Sequence, residues 1–204
     1  MASKARPGNG PGADNGQNPD DLARKIARQA VYERALPRRF YEKVEVRANR
    51  DAFELALDSK PVRTPVKNAL VLPNAQMAEA VGEEWSAQGE HVDPDTMPVT
   101  RLANTTIDRV MPRRQETIDE IVSYAGSDLL CYRASDPREL VARQIEQWDP
   151  LLDWIAGEIG NRFTLVEGVI HQEQPAGTLA AVRNAIELHD DFTLTGLHNV
   201  MTLT

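Results

Sequence analysis

The sequence predicts an α+β fold, with strands in its first half and several helices in its second half. Between Phe40 and Leu72, apolar residues alternate with polar ones, which is the period of half-buried antiparallel strands. From Asn74 onward they recur every three or four residues, which is the period of amphipathic helices. A sheet with one apolar face must be covered, and the first helix is expected to cover it.

The composition is that of an acidic globular protein with a basic start. The chain has 204 residues and a formal net charge of −8. Its first 40 residues contain eight basic and four acidic residues, while the rest contains 15 basic and 27 acidic residues. No apolar run approaches the ~20 residues that cross a bilayer. We therefore expect a chain that binds neither nucleic acid nor a membrane, with a flexible basic arm at 1–35.

Two alternating runs predict the first strands. Val44 and Val46 alternate with charged residues, and residues 53–57 repeat the pattern. Turn residues at 49–51 and 58–61 separate the runs, so the two strands should pair antiparallel. A third strand fits 62–64 and a fourth fits 69–72, with Pro65 bending the chain between them.

Helix signals follow. Asn74 is a candidate N-cap for a helix with Met77, Val81 and Trp85 on one face, and Gly89 is its predicted end. Pro98 lies near the first turn of a second helix. Its apolar face comprises Val99, Leu102, Ala103, Thr106, Ile107 and Val110. A third helix carries Ile118, Ile121, Val122 and Ala125 and ends at Gly126.

A longer helix is predicted from Asp136. Asp136, Pro137 and Glu139 form a capping-box pattern. The helix should kink or divide at Pro150, with Asp149 as a new cap in the second case, and stop at Gly160. Two further helices are indicated around 179–186 and from Phe192.

The sequence contains no recognisable catalytic, cofactor-binding or metal-binding motif. Cys131 follows an apolar run and is interpreted as a buried small side chain rather than a nucleophile. No histidine pair has metal-ligand spacing. The run from His189 to Asp191 could ligate a metal, but a solvated helix end is the favoured interpretation. We therefore expect no metal and no cofactor.

Carboxylates and tryptophans recur in the long helix. Asp149 and Asp153 could serve acid–base chemistry, although an acidic surface is the favoured interpretation. Trp85 and Trp148 each lie on an apolar stripe, which predicts core packing. Trp154 lies on another part of the helix surface and is the best candidate for an exposed anchor, because tryptophan is enriched in binding hot spots.

Several strings, taken in order, resemble a known family. They are Arg39-Phe40-Tyr41, the run from Leu57 to Pro65, Glu84-Trp85-Ser86-Ala87-Gln88, the run from Asp93 to Leu102 with Asn104 and Asp108, the run from Asp128 to Arg133, and the run from Trp148 to Trp154. Together they resemble the mitochondrial and alphaproteobacterial assembly chaperone of the ATP synthase catalytic head, which binds the alpha subunit. The resemblance extends from about Arg38 to the end of the chain.

The resemblance implies an architecture and a role. It implies a small N-terminal antiparallel β-rich α/β domain at 36–98 and a multi-helical orthogonal bundle at 99–204. Family members usually continue with further helices, so the bundle is expected to be C-terminally incomplete. The implied role is a non-enzymatic, monomeric chaperone for the free alpha subunit, acting in a bacterial cytoplasm or in the mitochondrial matrix of a eukaryote. The candidate partner contacts are Trp85, Arg101, Asn104, Asp108, Trp148, Asp149 and Trp154.

Two alternatives remain open at this point. A small-molecule hydrolase would use Asp149 and Asp153, and it predicts a polar pocket that contains both carboxylates. An adaptor would use the basic arm, including Arg24, Lys25 and Arg28, on an acidic partner.

Overall fold

A computed structural model describes residues 36–202. The predicted basic arm at 1–35 lies outside the described residues. Two compact units are present: one contains residues 36–40 and Gln88–Asp93, and the other contains Tyr41–Ala87 with the chain from Pro94 onward. The domain boundary expected at residues 98 and 99 stays a prediction.

The smaller unit is held by backbone pairing between its two segments. Arg38 and His91 form an isolated antiparallel bridge. The Arg39 amide donates to the Glu90 carbonyl over 2.8 Å, and the Val92 amide donates to the Pro37 carbonyl over 2.9 Å.

The sheet of the larger unit is built around its second strand. Its strands are β1 (Val44–Asn49), β2 (Ala52–Leu57), β3 (Lys60–Pro61) and β4 (Val71–Leu72). β2 pairs antiparallel with each of the other three. In the long β1–β2 ladder, Val44 lies opposite Leu57 and Asn49 lies opposite Ala52. The prediction of an antiparallel strand pair is therefore confirmed.

The third strand differs from its predicted position, and the fourth lies within the predicted 69–72 but is shorter. β3 ends at Pro61, before the predicted 62–64, and only an isolated bridge joins Arg63 to Ala69. Pro65 has no amide hydrogen to donate to a ladder, and Lys67 has a left-handed backbone with φ of 73°. The Thr64 amide bonds instead to the Asn68 carbonyl over 3.0 Å, so residues 64–68 form a closed loop.

Helix α1 (Ala75–Ser86) packs against β1 and β2. Asn74 caps it as predicted, accepting the Met77 amide at its Oδ1 over 2.8 Å. A Cβ atom at Gly82 would lie 3.2 Å from the Val46 side chain, so a glycine lets the helix approach the sheet closely. The predicted end at Gly89 is wrong, because the helix ends at Ser86. Ala87 forms the C-cap with ordinary right-handed angles, which require no glycine.

The second predicted helix changes its winding part-way. Helix α2 (Pro98–Thr105) begins with Pro98 in its first turn, as predicted. A π-helical turn (Thr106–Val110) and a 3₁₀ turn (Met111–Arg113) follow. Pro112 cannot donate a backbone hydrogen bond, so the regular ladder cannot continue through it. Helix α3 (Arg114–Ala125) then ends at Gly126, as predicted.

Helix α4 (Arg138–Ile159) is a single helix of 22 residues. Pro150 does not divide it, so the alternative in which Asp149 starts a new helix is wrong. The capping box is also wrong: Pro137 takes the N-cap position and its carbonyl accepts the Leu140 amide over 2.9 Å. The helix therefore begins one residue too late for Asp136 to cap it. Gly160, with φ of 69°, ends it as predicted.

The remaining elements complete the helical half. Strand β5 (Tyr132–Arg133) pairs in parallel with β6 (Val166–Glu167), a small sheet that the sequence pattern did not predict. Helices α5 (Ala176–Glu187) and α6 (Asp191–Thr202) lie in the two regions where helices were predicted. The α+β fold class is confirmed.

The core of the helical half lies around α3. Its buried members are Val110, Ile118, Ile121, Val122, Ile186 and Leu194, with Leu179, Val182 and Met201 packed against them. Helices α5 and α6 both pack on α3. Among residues 36–202, no helix combines the length and the apolar character that crossing a bilayer requires.

Candidate functional site

Trp85 is held inside the larger unit. Its ring packs against the ring of Tyr41, with centroids 5.6 Å apart and planes at 59°. The Tyr41 hydroxyl donates to the Trp85 carbonyl over 2.6 Å. These contacts give Trp85 a packing role between α1 and the chain entering β1. Its role as a partner contact stays a prediction.

The three candidates after Pro98 occupy different environments. Arg101 lies 3.5 Å from Asp95 in an exposed ion pair. Asp108 Oδ1 accepts the Thr64 hydroxyl over 2.7 Å and the side-chain Nδ2 of Asn68 over 2.9 Å. Asp108 therefore ties the π-helical turn to the loop at 64–68.

Asn104 and Asp108 line a polar cleft that sequence reasoning missed. The cleft has a volume of about 650 Å³. Its walls comprise Pro65, Val66, Asn104, Thr105, Asp108, Arg109 and Arg113, and we call it the arginine cleft. The one sequence signal for it was Pro112, a helix-breaking residue between arginines in an otherwise helical pattern.

Trp148 and Asp149 are both contacted by one partly buried arginine. Arg133, on β5, places its guanidinium over the Trp148 ring, 5.5 Å from the centroid. Its Nη2 lies 2.7 Å from Asp149 Oδ1, and its Nε donates to the Leu130 carbonyl over 2.9 Å. The Arg133–Asp149 contact lacks hydrogen-bond geometry, so it is an ion pair held by charge. Both candidates thus attach α4 to β5.

Asp149 and Asp153 do line one small cavity, of about 120 Å³, as the hydrolase alternative predicts. Each carboxylate faces an arginine there. Asp149 pairs with Arg133, and Asp153 lies 2.6 Å from Arg162. The arrangement is therefore two ion pairs side by side, which gives little support to acid–base catalysis by these carboxylates.

A second, apolar depression lies beside the same helix. It has a volume of about 330 Å³, and we call it the α4 groove. Its apolar lining includes Leu130, Leu151, Leu152, Trp154, Ile155 and Phe163. Leu152 and Phe163 also line the small cavity, so the two depressions adjoin. Trp154 is 64% exposed at the groove.

Cys131 lies in the wall of the α4 groove and is itself buried. Burial raises the pKa of its thiol, and the nearby Asp128 carboxylate raises that pKa further. The predicted burial of Cys131 is confirmed, and a thiol with a raised pKa forms less thiolate.

The run from His189 to Asp191 is a helix start. Asp190 accepts the Thr193 amide over 2.9 Å, and Asp191 pairs with Arg114 over 2.6 Å. These contacts confirm the helix-end interpretation. Within residues 36–202, no group of three or more His, Cys, Asp or Glu side chains is arranged to hold a metal ion.

Comparison with known proteins decides the family. A model of the ATP12 chaperone protein family matches residues 38–156, more than half of the chain. The chain belongs to the ATP12 chaperone family. The family match includes every candidate partner residue, from Trp85 to Trp154. The resemblance to the ATP synthase assembly chaperones is thereby confirmed.

Solved structures agree with the family assignment. The chain is similar to ATP12 from Paracoccus denitrificans, with 40% identity and a TM-score of 0.78 over 82% of this chain and 72% of that one. A mutant of that protein matches equally well in identity and TM-score. A protein from Agrobacterium tumefaciens is 42% identical, with a TM-score of 0.77 over 92% of this chain and 69% of that one. The ATP12-family fold thus spans both the sheet and the helices.

Proposed function

We propose that this ATP12-family chaperone binds the free alpha subunit of the ATP synthase catalytic head and covers the apolar surface that the alpha subunit later buries. The observation that carries the proposal is the exposed apolar surface of α4 at the α4 groove. The chaperone acts by binding alone and turns over no substrate. It meets its client as a monomer, in a bacterial cytoplasm or, in a eukaryote, in the mitochondrial matrix.

Helix α4 is unusually poor in internal contacts. None of its 22 residues is buried, while both α5 and α6 contain buried residues. Its exposed large apolar side chains are Leu140, Ile145, Leu151 and Trp154. Burying one such side chain is worth about 1.5–3 kcal/mol. A partner that covers α4 therefore gains binding free energy that the isolated chain leaves unused.

The α4 groove is a concave binding site rather than a flat surface. Leu151 and Trp154 stand exposed, while Leu152, Ile155 and Phe163 are partly buried behind them. Leu165, beside the adjoining cavity, extends the apolar surface beyond Phe163. Large rigid aromatic side chains around a depression are typical of binding hot spots.

Of the candidate residues, Trp154 is the principal contact in this proposal. Trp85, Trp148 and Asp149 are engaged within the chain by Tyr41 and Arg133. They support the fold that presents the groove. The beta subunit then displaces the chaperone by competition, because the chaperone and the beta subunit cover the same apolar surface of the alpha subunit.

The test is a titration of purified alpha and beta subunits with the wild-type chain and two variants. Trp154→Ser is expected to weaken alpha-subunit binding by ~30-fold, the loss typical of a hot-spot residue. Leu188→Ser is the matched control, because Leu188 is also exposed but does not line the groove. It should bind within ~2-fold of wild type, since isolated surface changes are near neutral.

Two results contradict the proposal. Saturable binding to neither subunit excludes the client assignment. Equal weakening by Trp154→Ser and Leu188→Ser excludes the α4 groove as the contact surface. Thermal melts of all three chains show whether either variant has lost its fold.

A further inference from the structure

We propose that the arginine cleft binds an acidic peptide segment of a partner protein, with its carboxylates on Arg109 and Arg113 and an apolar side chain on Val66. The cleft lies between the loop at 64–68 and the π-helical turn that follows α2. It shares no lining residue with the α4 groove, although two of the predicted partner contacts, Asn104 and Asp108, line it. The acidic-peptide test therefore uses no alpha subunit.

Arg109 and Arg113 are exposed cations without a carboxylate partner among residues 36–202. Several other arginines of this chain are paired, such as Arg114 with Asp191, Arg162 with Asp153 and Arg183 with Asp119. The body of the chain is strongly acidic, and acidic residues are available to pair with. Two neighbouring arginines left without a carboxylate therefore form a local positive site.

The loop that carries Val66 adds positive charge near the cleft, although its two cations do not line the cleft. Arg63 and Lys67 are exposed at the loop beside Val66, and the Arg63 guanidinium donates to the Lys67 carbonyl over 2.9 Å. One carboxylate, Asp108, also lines the cleft. Asp108 accepts hydrogen bonds from Thr64 and Asn68 at one oxygen, so part of its capacity is already engaged. Glu116 and Glu120 share a second depression with Arg109 and Arg113, but they form no ion pair with either arginine. Within the cleft itself, the two arginines outnumber the single carboxylate.

The arginines stand on a segment that the core holds in place. Thr106, at the start of the π-helical turn, is fully buried and donates to the Thr195 hydroxyl over 2.8 Å. Val110 at the end of the turn is also buried. Arg109 and Arg113 flank this anchored end. Guanidinium groups on a fixed backbone bind carboxylates with less loss of conformational entropy.

Val66 supplies the apolar part of the site. It is 63% exposed at the tip of a loop closed by two hydrogen bonds between the backbones of Thr64, Lys67 and Asn68. Its side chain is therefore held outward rather than used for packing. Met111, also exposed, follows the π-helical turn from which Arg109 projects. A segment with acidic residues around a leucine matches this combination.

The cleft does not have the features of a nucleic-acid site. No aromatic side chain lines it, and base stacking on aromatic rings is the usual source of single-strand affinity. The strongly acidic body also repels a polyanion. A short acidic segment, which presents only a few charges, avoids most of this repulsion.

The experiment uses fluorescein-labelled Gly-Glu-Glu-Leu-Glu-Glu-Gly as the probe and fluorescence anisotropy as the readout, with the full chain. The control probe has glutamine in place of each glutamate. We expect saturable binding of the acidic probe that weakens as salt rises, because the contact is exposed and ionic. The double variant Arg109→Gln/Arg113→Gln should weaken it by at least ~10-fold, and Val66→Ser by ~3-fold.

Arg143→Gln is the matched control, because Arg143 is exposed on α4 and does not line the cleft. It removes one positive charge, where the double cleft variant removes two, and it should leave the affinity within ~2-fold. The variant Arg109→Lys/Arg113→Lys keeps both charges but lacks the planar fork, and intermediate affinity is expected.

Four outcomes overturn the inference. They are no saturable binding of the acidic probe, equal binding of the glutamine probe, equal weakening by Arg143→Gln and by the cleft variants, and tighter binding of a single-stranded oligonucleotide than of the peptide. All substituted positions are exposed, and a thermal melt of each variant verifies its fold.

Discussion

The carboxylate of Glu84 holds the start of α2 from a neighbouring helix. One oxygen accepts the Val99 amide over 2.7 Å, and the other accepts the Thr100 amide over 2.8 Å and the Thr100 hydroxyl over 2.7 Å. The first amides of a helix have no partner within it, and its N-terminus favours negative charge. Met97, the residue at the N-cap position, makes no side-chain cap, so Glu84 serves in its place.

Replacement of Glu84 is therefore expected to destabilise the fold. Glu84→Ala should lower the free energy of unfolding by about 1–3 kcal/mol, because amides of a partly buried helix start lose a charged acceptor. Glu83→Ala is the matched control, since Glu83 is exposed on the same helix, and it should cost less than about 0.5 kcal/mol. Urea denaturation measures both. Equal losses from the two variants would show that Glu84 does not cap α2.

Among the elements, α6 shows how a local cap sets a helix start. Asp190 accepts the Thr193 amide over 2.9 Å and the Thr193 hydroxyl over 3.1 Å. The hydrogen bond from the Thr193 backbone lowers the pKa of Asp190, outweighing partial burial, and the Thr193 hydroxyl, the Phe192 amide and His189 lower that pKa further. Ionised Asp190 is thus favoured in the folded state.

This cap predicts a pH-dependent effect. Asp190→Ala should lower the free energy of unfolding by about 1 kcal/mol at neutral pH. The folded pKa lies below the usual 3.8, so the stabilisation from ionisation is full above that value and is lost as pH falls through the folded pKa. The difference between wild type and variant should therefore shrink in acid. Urea titrations across this range measure it.

Glu173→Ala is the control for this titration. Glu173 is exposed and lies before α5. The substitution Glu173→Ala therefore removes one negative charge, as Asp190→Ala does, without removing a helix cap. It should have little effect at any pH. If the free energies of unfolding of wild type and Asp190→Ala differ by the same amount at acidic and neutral pH, Asp190 is not an ionised cap.

At the scale of the whole molecule, a buried hydroxyl pair joins distant parts of the chain. Thr106 donates to the Thr195 hydroxyl over 2.8 Å, and Thr195 donates to the Asp191 carbonyl over 2.7 Å. Both threonines are almost completely buried. The pair links the π-helical turn, which follows the sheet and α2, to α6 near the end of the described chain. A buried polar pair of this kind specifies one arrangement of its helices.

A double-mutant cycle tests this link. Thr106→Val and Thr195→Val keep the side-chain shape, and each should lower the free energy of unfolding by about 1 kcal/mol. The double variant should lose less than the sum of the single losses, with a coupling of about 0.5–1.5 kcal/mol. Thr202→Val, at an exposed position of α6, should have little effect. Additive losses in the cycle would contradict a direct interaction between the two hydroxyls.

Local signals in the sequence predicted most of the elements. Asn74, Pro98, Gly126 and Gly160 mark helix ends through interactions within a few residues, and the structure has each of them in that role. The predicted end at Gly89 was wrong although no proline is involved, and two other differences from the predicted helices lie beside prolines. Pro137 delays the start of α4, and Pro112 changes the winding after α2.

The candidate site was less predictable than the fold. Period-3.6 patterns located Trp148 and Trp154 on a helix but could not show which partner covers each face. The guanidinium of Arg133 over Trp148, from a strand that the pattern did not reveal, decides that Trp148 is partly covered and Trp154 is not. The arginine cleft joins residues about 40 positions apart through the Asp108 contacts, and no local pattern encodes such a distance.

The sequence by itself determined the α+β class, the antiparallel β1–β2 pair, most helix positions and the family, because these depend on local periodicity, caps and ordered motifs. Only the tertiary structure decided which charges are paired, which apolar side chains remain exposed on α4 and which arginines remain without a carboxylate. Those properties depend on contacts between segments far apart in the chain. Periodicity identifies the face of an element that avoids water, whereas packing alone determines what lies against it.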